Sequence, residues 1–374
     1  MKLGGWRGQT AVLAAVPLLV VAVGIGLSVA RSHTNLRPAA VPHGTASAAP
    51  TASAVPAPTE RPPIPGPSAR FGMAMAFDGS IGETVLFGGQ TSDGRYLGDT
   101  WSWNGSHWTR LSPTVSPPPR VDGALVWDEA HGLALLYGGI GTVSTNSIGA
   151  LSDLWSWNGS SWTQLHPAHQ PPARVGENLA YDGSSKAVVL FGGESDTRAP
   201  IAMNDTWTWD GRDWAERYPT NAPSPRSQAV MAFDRASSAL ILFGGTNGVP
   251  LSDTWAWTGQ TWRQLSPSMS PPTRYGASAV YDASRQQLVL FGGEGGKVDQ
   301  GPLHALADTW VWDGSTWNER SQGFGPSARW LAGISYDQVN RFVVLFGGPP
   351  EAKTDSAWGD TWLWDGSEWK LPVN

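Results

Sequence analysis

The 374-residue chain contains no cysteine, and this absence removes several kinds of chemistry. Without a thiol the chain can form no disulfide, thiolate nucleophile, zinc–thiolate site or lipid-modified cysteine anchor. Charged residues make up only 15% of the chain, and the net charge is −6 with no basic cluster. Because a nucleic-acid surface needs many lysines and arginines facing the phosphates, this composition argues against a nucleic-acid partner.

Catalytic and metal-binding motifs are also missing from the sequence. No His-Glu-x-x-His, Gly-x-Ser-x-Gly or phosphate-loop pattern occurs, and the seven histidines are scattered. We therefore predict no metal site and no cofactor. The abundant residues are glycine (45) and tryptophan (22), which is typical of an all-β repeat protein with many turns.

The N-terminal segment is the one long apolar run of the chain. Residues 11–30 carry no charge, and twenty residues of helix span about 30 Å, the thickness of a bilayer's hydrocarbon. Lys2 and Arg7 precede this run, which predicts a cytoplasmic segment at residues 1–10 and a single-pass anchor at 11–30. The alternative is a signal peptide that is cleaved after Ala30, which would release the protein. Both interpretations place the remaining chain outside the cytoplasm.

Residues 31–66 consist mainly of alanine, proline, serine and threonine. Such a segment cannot bury enough apolar surface to offset the entropy of the chain, so we predict a disordered stalk. In extended geometry the stalk would reach on the order of 100 Å from the membrane.

Residues 67–374 contain six copies of one repeat. An aromatic residue and two glycines recur, with the first glycine at Gly88, Gly138, Gly192, Gly244, Gly292 and Gly347. An aspartate precedes a Trp-x-Trp pair at Asp99, Asp153, Asp205, Asp253, Asp308 and Asp360. A third tryptophan follows each aspartate by nine residues, at Trp108, Trp162, Trp214, Trp262, Trp317 and Trp369.

Each repeat of about 50 residues contains four short apolar runs that are separated by turn signals. Four antiparallel strands per repeat, repeated six times, predict a six-bladed β-propeller in which stacked blades cover both faces of every sheet. The tryptophans are then expected to fill the spaces between blades, with a sugar-stacking platform as the alternative. Because all four strands of each repeat are contiguous, ring closure should depend on contacts between sheets, unless residues near Ile64 pair with the last blade.

The repeats resemble those of the kelch family over residues 67–374. The shared features are an arginine at the start of each repeat, an apolar run into Gly-Gly, an aspartate before an aromatic strand, and the later tryptophan. The family usually has tyrosine in place of the second tryptophan of the Trp-x-Trp pair. It also has a longer turn before the last tryptophan of the repeat. The family includes a copper oxidase that needs a Tyr–Cys cross-link, which this chain cannot form, and exported sugar epimerases.

The length of the repeat varies in a single place. Between the second glycine and the aspartate lie 9, 13, 11, 7, 14 and 11 residues, whereas the other spacings are constant. We call these six segments the variable stretches. In an up-and-down blade they lie on the same face as the linkers between blades, and loops on a rigid scaffold commonly carry function. Candidate ligand contacts in these stretches are Arg95, Tyr96, Arg198, Lys297, His304, Lys353 and Trp358.

The same face should carry the arginine that opens each repeat. These are Arg70, Arg120, Arg174, Arg226, Arg274 and Arg329. A ring of arginines would bind carboxylates or phosphates, or each arginine could pair with an acid or carbonyl of the scaffold. Glu194 and Glu294 follow Gly-Gly directly and are the expected neutralising partners.

The repeats predict an architecture but identify no reaction. The preferred interpretation is a non-catalytic, extracytoplasmic binding or scaffold module that recognises a protein or a glycan through the variable stretches. The alternative is a carbohydrate-active enzyme, such as a sugar isomerase, with its site at the channel mouth. An enzyme should have a pocket with two convergent acid/base groups, whereas a binding module should have an apolar rim.

Overall fold

A computed structural model describes residues 66–144, 147–195, 200–296, 302–320, 323–350 and 356–373. Within these ranges the regular secondary structure consists of β-strands. No helix in this part of the chain is long and apolar enough to cross a membrane. The predicted anchor at residues 11–30 lies outside the described residues, as does the predicted stalk apart from residue 66.

The strands follow the repeat pattern of the sequence. The first fifteen are β1 (Ala74–Asp78), β2 (Glu83–Phe87), β3 (Thr100–Trp103), β4 (Trp108–Leu111), β5 (Arg120–Val121), β6 (Ala124–Asp128), β7 (Leu133–Tyr137), β8 (Ile140–Ser144), β9 (Ser147–Ala150), β10 (Leu154–Trp157), β11 (Trp162–Leu165), β12 (Asn178–Asp182), β13 (Ala187–Phe191), β14 (Thr206–Trp209) and β15 (Trp214–Arg217). The others are β16 (Val230–Asp234), β17 (Ala239–Phe243), β18 (Thr254–Trp257), β19 (Trp262–Leu265), β20 (Arg274–Tyr275), β21 (Ser278–Asp282), β22 (Gln287–Phe291), β23 (Glu294–Gly295), β24 (His304–Ala305), β25 (Thr309–Trp312), β26 (Trp317–Arg320), β27 (Gly333–Asp337), β28 (Phe342–Phe346), β29 (Thr361–Trp364) and β30 (Trp369–Lys370).

Six of the sheets have four antiparallel strands in sequence order, which we number sheets 1 to 6 along the chain. Sheet 1 contains β1 to β4, sheet 2 contains β6, β7, β10 and β11, and sheet 6 contains β27 to β30. Two three-stranded sheets, β5-β8-β9 and β20-β23-β24, lie at the ends of sheets 2 and 5. Two strands of each form in the two longest variable stretches, because 13 and 14 residues are enough to fold back into a hairpin, and the third strand begins at the repeated arginine. This arrangement is a β-propeller, as the repeats predict.

Hydrophobic clusters occupy the spaces between consecutive sheets. Between sheets 1 and 2, for example, Val85 and Phe87 pack against Leu136, Trp157 and Trp162. Equivalent clusters join sheets 2 and 3, 3 and 4, 4 and 5, and 5 and 6, and a further cluster joins sheet 6 to sheet 1. Burial of each large side chain contributes about 1.5–3 kcal/mol, so the core is spread around the ring.

The last tryptophan of each repeat also bonds to the neighbouring sheet. The indole Nε1–H of Trp162 donates to the Thr100 hydroxyl of sheet 1 at 3.0 Å. The same bond joins Trp262 to Thr206, Trp317 to Thr254, Trp369 to Thr309 and Trp108 to Thr361. The exception is Trp214, because the position of the threonine in sheet 2 is held by Leu154. Its Nε1–H has no hydrogen-bond partner among the described residues.

The ring closes through contacts between sheets 6 and 1, as the contiguous strands predict. Trp108 of sheet 1 reaches Thr361 of sheet 6, and the Arg70 amide donates to the Trp358 carbonyl at 3.2 Å. The Gly348 amide donates to the Arg70 carbonyl at 2.9 Å. All four strands of sheet 6 come from the C-terminal repeat. Ile64, the alternative edge partner, lies outside the described residues.

Candidate functional site

The six repeated arginines are buried beneath the face that carries the variable stretches. Arg174 is fully buried, and its Nε donates to the Pro172 carbonyl at 3.0 Å. Its Nη1 donates to the Gly192 carbonyl and to Asp205, both at 2.8 Å. Its Nη2 donates to the second carboxylate oxygen of Asp205 at 2.7 Å. The guanidinium is therefore held by its own repeat, in a bidentate pair with the repeated aspartate.

The same bidentate pair occurs in every repeat. The pairs are Arg70–Asp99, Arg120–Asp153, Arg174–Asp205, Arg226–Asp253, Arg274–Asp308 and Arg329–Asp360, with closest contacts of 2.6–2.7 Å. Burial raises the pKa of each aspartate, but the hydrogen bonds and charge of the arginine outweigh burial and hold each pKa below its usual value. Removing one partner of such a buried pair costs about 3–5 kcal/mol.

These contacts bear on the two roles considered for the arginines. All six side chains have at most 2% of their surface exposed, and their donors already face aspartate and carbonyl oxygens. The geometry therefore favours the scaffold role over a ring that binds free anions. The expected neutralising partners also differ from those found. Glu194 accepts a 3.4 Å bond from Ser227, and Glu294 accepts a 2.7 Å bond from the Tyr275 hydroxyl.

A closed ring of backbone hydrogen bonds surrounds the channel on this face. It is formed by the second residue after each arginine, whose amide donates to the same position of an adjacent repeat. The members are Gly72, Asp122, Gly176, Gln228, Gly276 and Leu331, with distances of 2.7–3.4 Å. All six have positive φ, between 46° and 64°. Glycines alternate with larger residues, and a Cβ on Gly72 would collide with Asp122. The alternation therefore lets three side chains fit around one narrow ring.

Directly inside this ring lies a cavity of about 220 Å³, which we call the upper cavity. All six sheets contribute to its wall, and its charged lining residues are Asp122 and Glu177. Its floor is an apolar collar that consists of Met75, Leu125, Leu179, Met231, Ala279 and Ile334. Below the collar a second cavity of about 230 Å³ opens toward the opposite face. Its wall contains one aromatic residue from each repeat: Phe77, Trp127, Tyr181, Phe233, Tyr281 and Tyr336.

Glu177 is a buried and Asp122 a half-buried acid beside the channel. Glu177 is only 7% exposed, and neither carboxylate oxygen has a hydrogen-bond partner among the described residues. Burial raises its pKa to about 8, although the nearby amides of Glu177 and Ala124, which lie outside hydrogen-bond geometry, and the charge of Arg174 act to lower it. For Asp122, burial and the charge of Glu194 raise the pKa to about 7. Both residues thus line one cavity and have pKa values near neutrality, but the carboxylate oxygens of Glu177 are enclosed by protein, with Oε1 packed against Gly138.

The other predicted contacts that fall within the described ranges are dispersed around the rim of the channel. Arg95 is exposed and paired with Asp93 at 2.8 Å, and His304 is exposed on β24. Tyr96 is half-buried beside Asp122, which together with burial raises the pKa of the tyrosine. Trp358 lies over the guanidinium of Arg329, 5.7 Å from ring centroid to Cζ. Arg198, Lys297 and Lys353 fall outside the described residues.

Asp122 and Glu177 were not among the candidates predicted from the sequence. A signal for them exists in the alignment of the six internal repeats. At the position of Glu177 the other repeats have Met73, Gly123, Ala229, Ala277 and Ala332. A carboxylate among small or apolar residues at a channel position is therefore visible as an outlier. No group of three or more metal-ligating side chains occurs in the part of the chain that the structure describes.

Comparisons with known proteins agree with this architecture. No protein-family model matches the chain. Multiple epidermal growth factor-like domains protein 8 of Homo sapiens is 30% identical over 207 residues, which is 48% of this chain and 7% of that protein. tRNA wybutosine-synthesizing protein 4 of Emericella nidulans is 31% identical over 153 residues, which is 38% of this chain and 14% of that protein. The chain thus spans a small part of these relatives.

A solved structure also matches the chain. The structure of YjhT superposes with a TM-score of 0.62 and 16% sequence identity, covering 82% of this chain and 99% of that one. At this identity the likeness concerns the fold alone. The structural neighbour and the repeated four-stranded sheets together establish that this chain contains a β-propeller.

Proposed function

We propose that the chain is a six-bladed, kelch-type propeller that serves as a non-catalytic binding or scaffold module. The six sheets would be its blades, and residues 67–374 its folded domain. Most of the residues that recur in all six repeats are occupied by the scaffold: arginine with aspartate, and tryptophan with aspartate or with the neighbouring sheet. Recognition must therefore come from residues that differ between repeats.

The observation that carries this proposal is an apolar rim. Five of the six variable stretches expose a large apolar side chain, and these are Val143, Ile148, Ile201, Val249, Leu303 and Trp358, exposed by 36–67%. Contiguous exposed apolar patches mark interaction surfaces, and we propose that these side chains, which belong to loops on one face, form such a surface. Because aliphatic side chains outnumber aromatic ones here, the rim favours a protein partner over a glycan.

Substitution on the two faces tests this proposal. Full-length protein is used in a pull-down and a glycan array, and any ligand found is titrated against Ile148→Ser and Trp358→Ala. Val339→Ser removes a more exposed apolar side chain, 65% against 51% for Ile148, from a turn on the opposite face and is the control. We expect the rim variants to weaken binding at least about tenfold, which is about 1.4 kcal/mol or more, and the control to leave it unchanged. Equal effects on both faces would refute recognition by the rim.

The location of the propeller is a further part of the proposal. A single-pass anchor at residues 11–30, preceded by cytoplasmic residues 1–10 and followed by a stalk at 31–66, would display the domain outside the cytoplasm. The support is the uncharged apolar run and the basic residues before it. N-terminal sequencing of the membrane fraction distinguishes an intact anchor from a signal peptide cleaved after Ala30. Recovery of the protein only from the cytosol would contradict both.

A carbohydrate-active enzyme is the second candidate, because two acidic residues line the upper cavity. Asp122 and Glu177 would be its acid/base pair, since a group with a pKa near the working pH transfers protons most effectively. The test is isotope exchange or epimer formation by NMR across a panel of sugars, with Glu177→Gln as the inactive control. Turnover that Glu177→Gln does not reduce would exclude this site.

A further inference from the structure

Sheet 3 has an open cleft at its outer edge, which we call the edge cleft. Its volume is about 530 Å³, within the range of about 300–1,000 Å³ that is usual for small-molecule sites. Trp207 and Glu216 are cross-strand partners on β14 and β15, so their side chains lie on the same face of the sheet. Tyr218 lies just beyond the end of β15 and faces the same cleft. The complete lining is His169, Gln170, Trp207, Trp214, Ala215, Glu216 and Tyr218.

The exposure of the first tryptophan in each Trp-x-Trp pair follows one residue of the preceding linker. Phe324 stacks on Trp362, with ring centroids 5.1 Å apart, and Trp362 is buried. Where this linker residue is apolar, the tryptophan that follows is buried. After His169, by contrast, Trp207 remains partly exposed. The linker position is the seventh after the last tryptophan of each repeat and holds Val115, His169, Asn221, Met269 and Phe324.

A second aromatic ring lies beside the exposed indole of Trp207, and the scaffold does not require it. Tyr218 is 83% exposed and lines the edge cleft together with Trp207. Its position is the fourth after the last tryptophan, and there the other repeats have Ser112, His166, Ser266, Ser321 and Val373. Because those repeats fold without a phenol or indole ring at this position, Tyr218 is a departure from the repeat that adds an aromatic face to the cleft.

Neighbouring side chains hold the polar groups of the edge cleft in place. Asp213 accepts hydrogen bonds at 2.8 Å from the amide and from the ring Nδ1 of His169. The neutral imidazole therefore carries its proton on Nδ1 and presents Nε2 as an acceptor. Glu216 accepts a 2.6 Å bond from the Tyr218 hydroxyl, and a carboxylate has about four acceptor sites, so it can accept further bonds. The amide of Gln170 can both donate and accept.

These acceptors distinguish between two kinds of ligand that stack on aromatic rings. A proline-rich peptide packs well on such rings, but proline has no N–H and would leave the acceptors of His169 and Glu216 unpaired. A sugar ring has C–H groups on its faces and hydroxyls around its edge. The C–H groups pack on the negative faces of aromatic rings, and the hydroxyls donate to carboxylate and imidazole acceptors. The composition of the edge cleft therefore favours a sugar.

We propose that the edge cleft binds a β-1,4-linked chain of glucose-type sugars. In such a chain every ring substituent is equatorial, so both faces of each pyranose ring are free to stack. Trp207 and Tyr218 stack on the sugar rings, and the hydroxyls bond to His169, Gln170 and Glu216. Because the cleft lies at the outer edge of the sheet, the rest of a long chain remains in solvent. The edge cleft shares no residue with the apolar rim, so this site does not depend on the proposed protein-binding function.

Calorimetry with the full-length protein tests the proposal. Cellohexaose and chitohexaose are the sugar probes, and a hexaproline peptide represents the competing kind of ligand. We expect at least one of the two hexasaccharides to bind more tightly than hexaproline, because only the sugars have hydroxyl donors for the acceptors of the cleft. Failure of both saccharides to bind would refute the proposal, and so would hexaproline binding that is as tight as theirs.

Two substitutions that restore the pattern of other repeats connect binding to the edge cleft. Tyr218→Ser introduces the residue that the first and fourth repeats have at this position. His169→Phe introduces the residue that stacks on Trp362, so it should cover Trp207 without changing any residue of the sheet. Each substitution should weaken saccharide binding at least about tenfold. Near-ultraviolet circular dichroism confirms that each variant is folded. Affinity that is unchanged in either folded variant would refute the site.

The next linker offers a matched control for the substitution of His169. Asn221→Phe makes the equivalent change before Trp255, which is also partly exposed but has no neighbour that corresponds to Tyr218. We expect Asn221→Phe to leave saccharide affinity unchanged, and a loss equal to that of His169→Phe would refute the site. Ile148→Ser, the rim variant, should also leave saccharide binding unchanged. The failure of one site is thereby distinguished from the failure of the other.

Discussion

Replacing Glu177 with glutamine should change how the stability of the protein depends on pH. The substitution keeps the shape of the side chain and removes its ability to ionise. In the native protein burial raises the pKa of Glu177 to about 8, against 4.5 for an ordinary glutamate. At a pH between 4.5 and about 8, the folded state therefore keeps a proton on Glu177 that the unfolded state has released.

The sign and size of the effect follow from this difference. Where the folded state binds more protons, stability falls as pH rises, by about 1.4 kcal/mol per pH unit for one group. The stabilisation is fully present below about pH 4.5 and is lost as pH rises through the native pKa near 8. Over this window the loss has an upper limit of about 5 kcal/mol. Asp122 contributes a similar loss up to about pH 7, so the single substitution should remove only part of the total.

Urea unfolding followed by tryptophan fluorescence measures the effect, at about pH 5, 7 and 9. We expect Glu177→Gln to gain stability relative to the native protein as pH rises, by about 3–5 kcal/mol between the extremes. Glu129 lines the second cavity of the channel, so Glu129→Gln is the control for the loss of one negative charge there. The difference in stability between Glu129→Gln and the native protein should not grow as the pH rises. Parallel pH curves for the native protein and Glu177→Gln would show that the carboxyl is not desolvated as its burial implies.

Three substitutions test the scaffold, each by the urea midpoint of the full-length protein. Thr206→Val leaves the buried indole N–H of Trp262 without its acceptor and should cost about 1–3 kcal/mol; no loss would mean that the bond contributes nothing. Arg226→Met leaves its aspartate unpaired and should cost about 3–5 kcal/mol, so a loss below 1 kcal/mol would contradict a structural pair. Gly72→Ala collides with Asp122 at positive φ and should cost more than about 2 kcal/mol, whereas Gly94→Ala has positive φ but open space and should cost about 1 kcal/mol.

Much of the fold could be predicted because its causes are local and repeated. Each second strand is a short run of β-branched and large apolar residues that ends at two glycines, and its burial follows from that composition. Gly192 shows why the first glycine recurs: its φ is +66°, and a Cβ would lie 2.5 Å from the Arg226 carbonyl of the next repeat. Six copies of the same local pattern leave few architectures other than a ring of sheets.

The arginine–aspartate pairs were harder to predict for a physical reason. The two residues are 29, 33, 31, 27, 34 and 31 positions apart, because each variable stretch lies between them. A contact whose sequence separation changes does not produce a periodic signal. The glutamates after Gly-Gly are nearer in sequence, but Glu294 instead pairs with the Tyr275 hydroxyl. Only the folded sheet shows that the aspartate lies opposite the arginine.

Asp122 and Glu177 could not be predicted as site residues from the sequence, because their environment forms only when the ring of sheets closes. Neither Asp122 nor Glu177 belongs to a motif, and each occupies a position where a repeat protein tolerates several residue types. The cavity exists only when six innermost strands surround it. Desolvation of Glu177, and therefore its raised pKa, is a property of the whole ring and not of its own repeat.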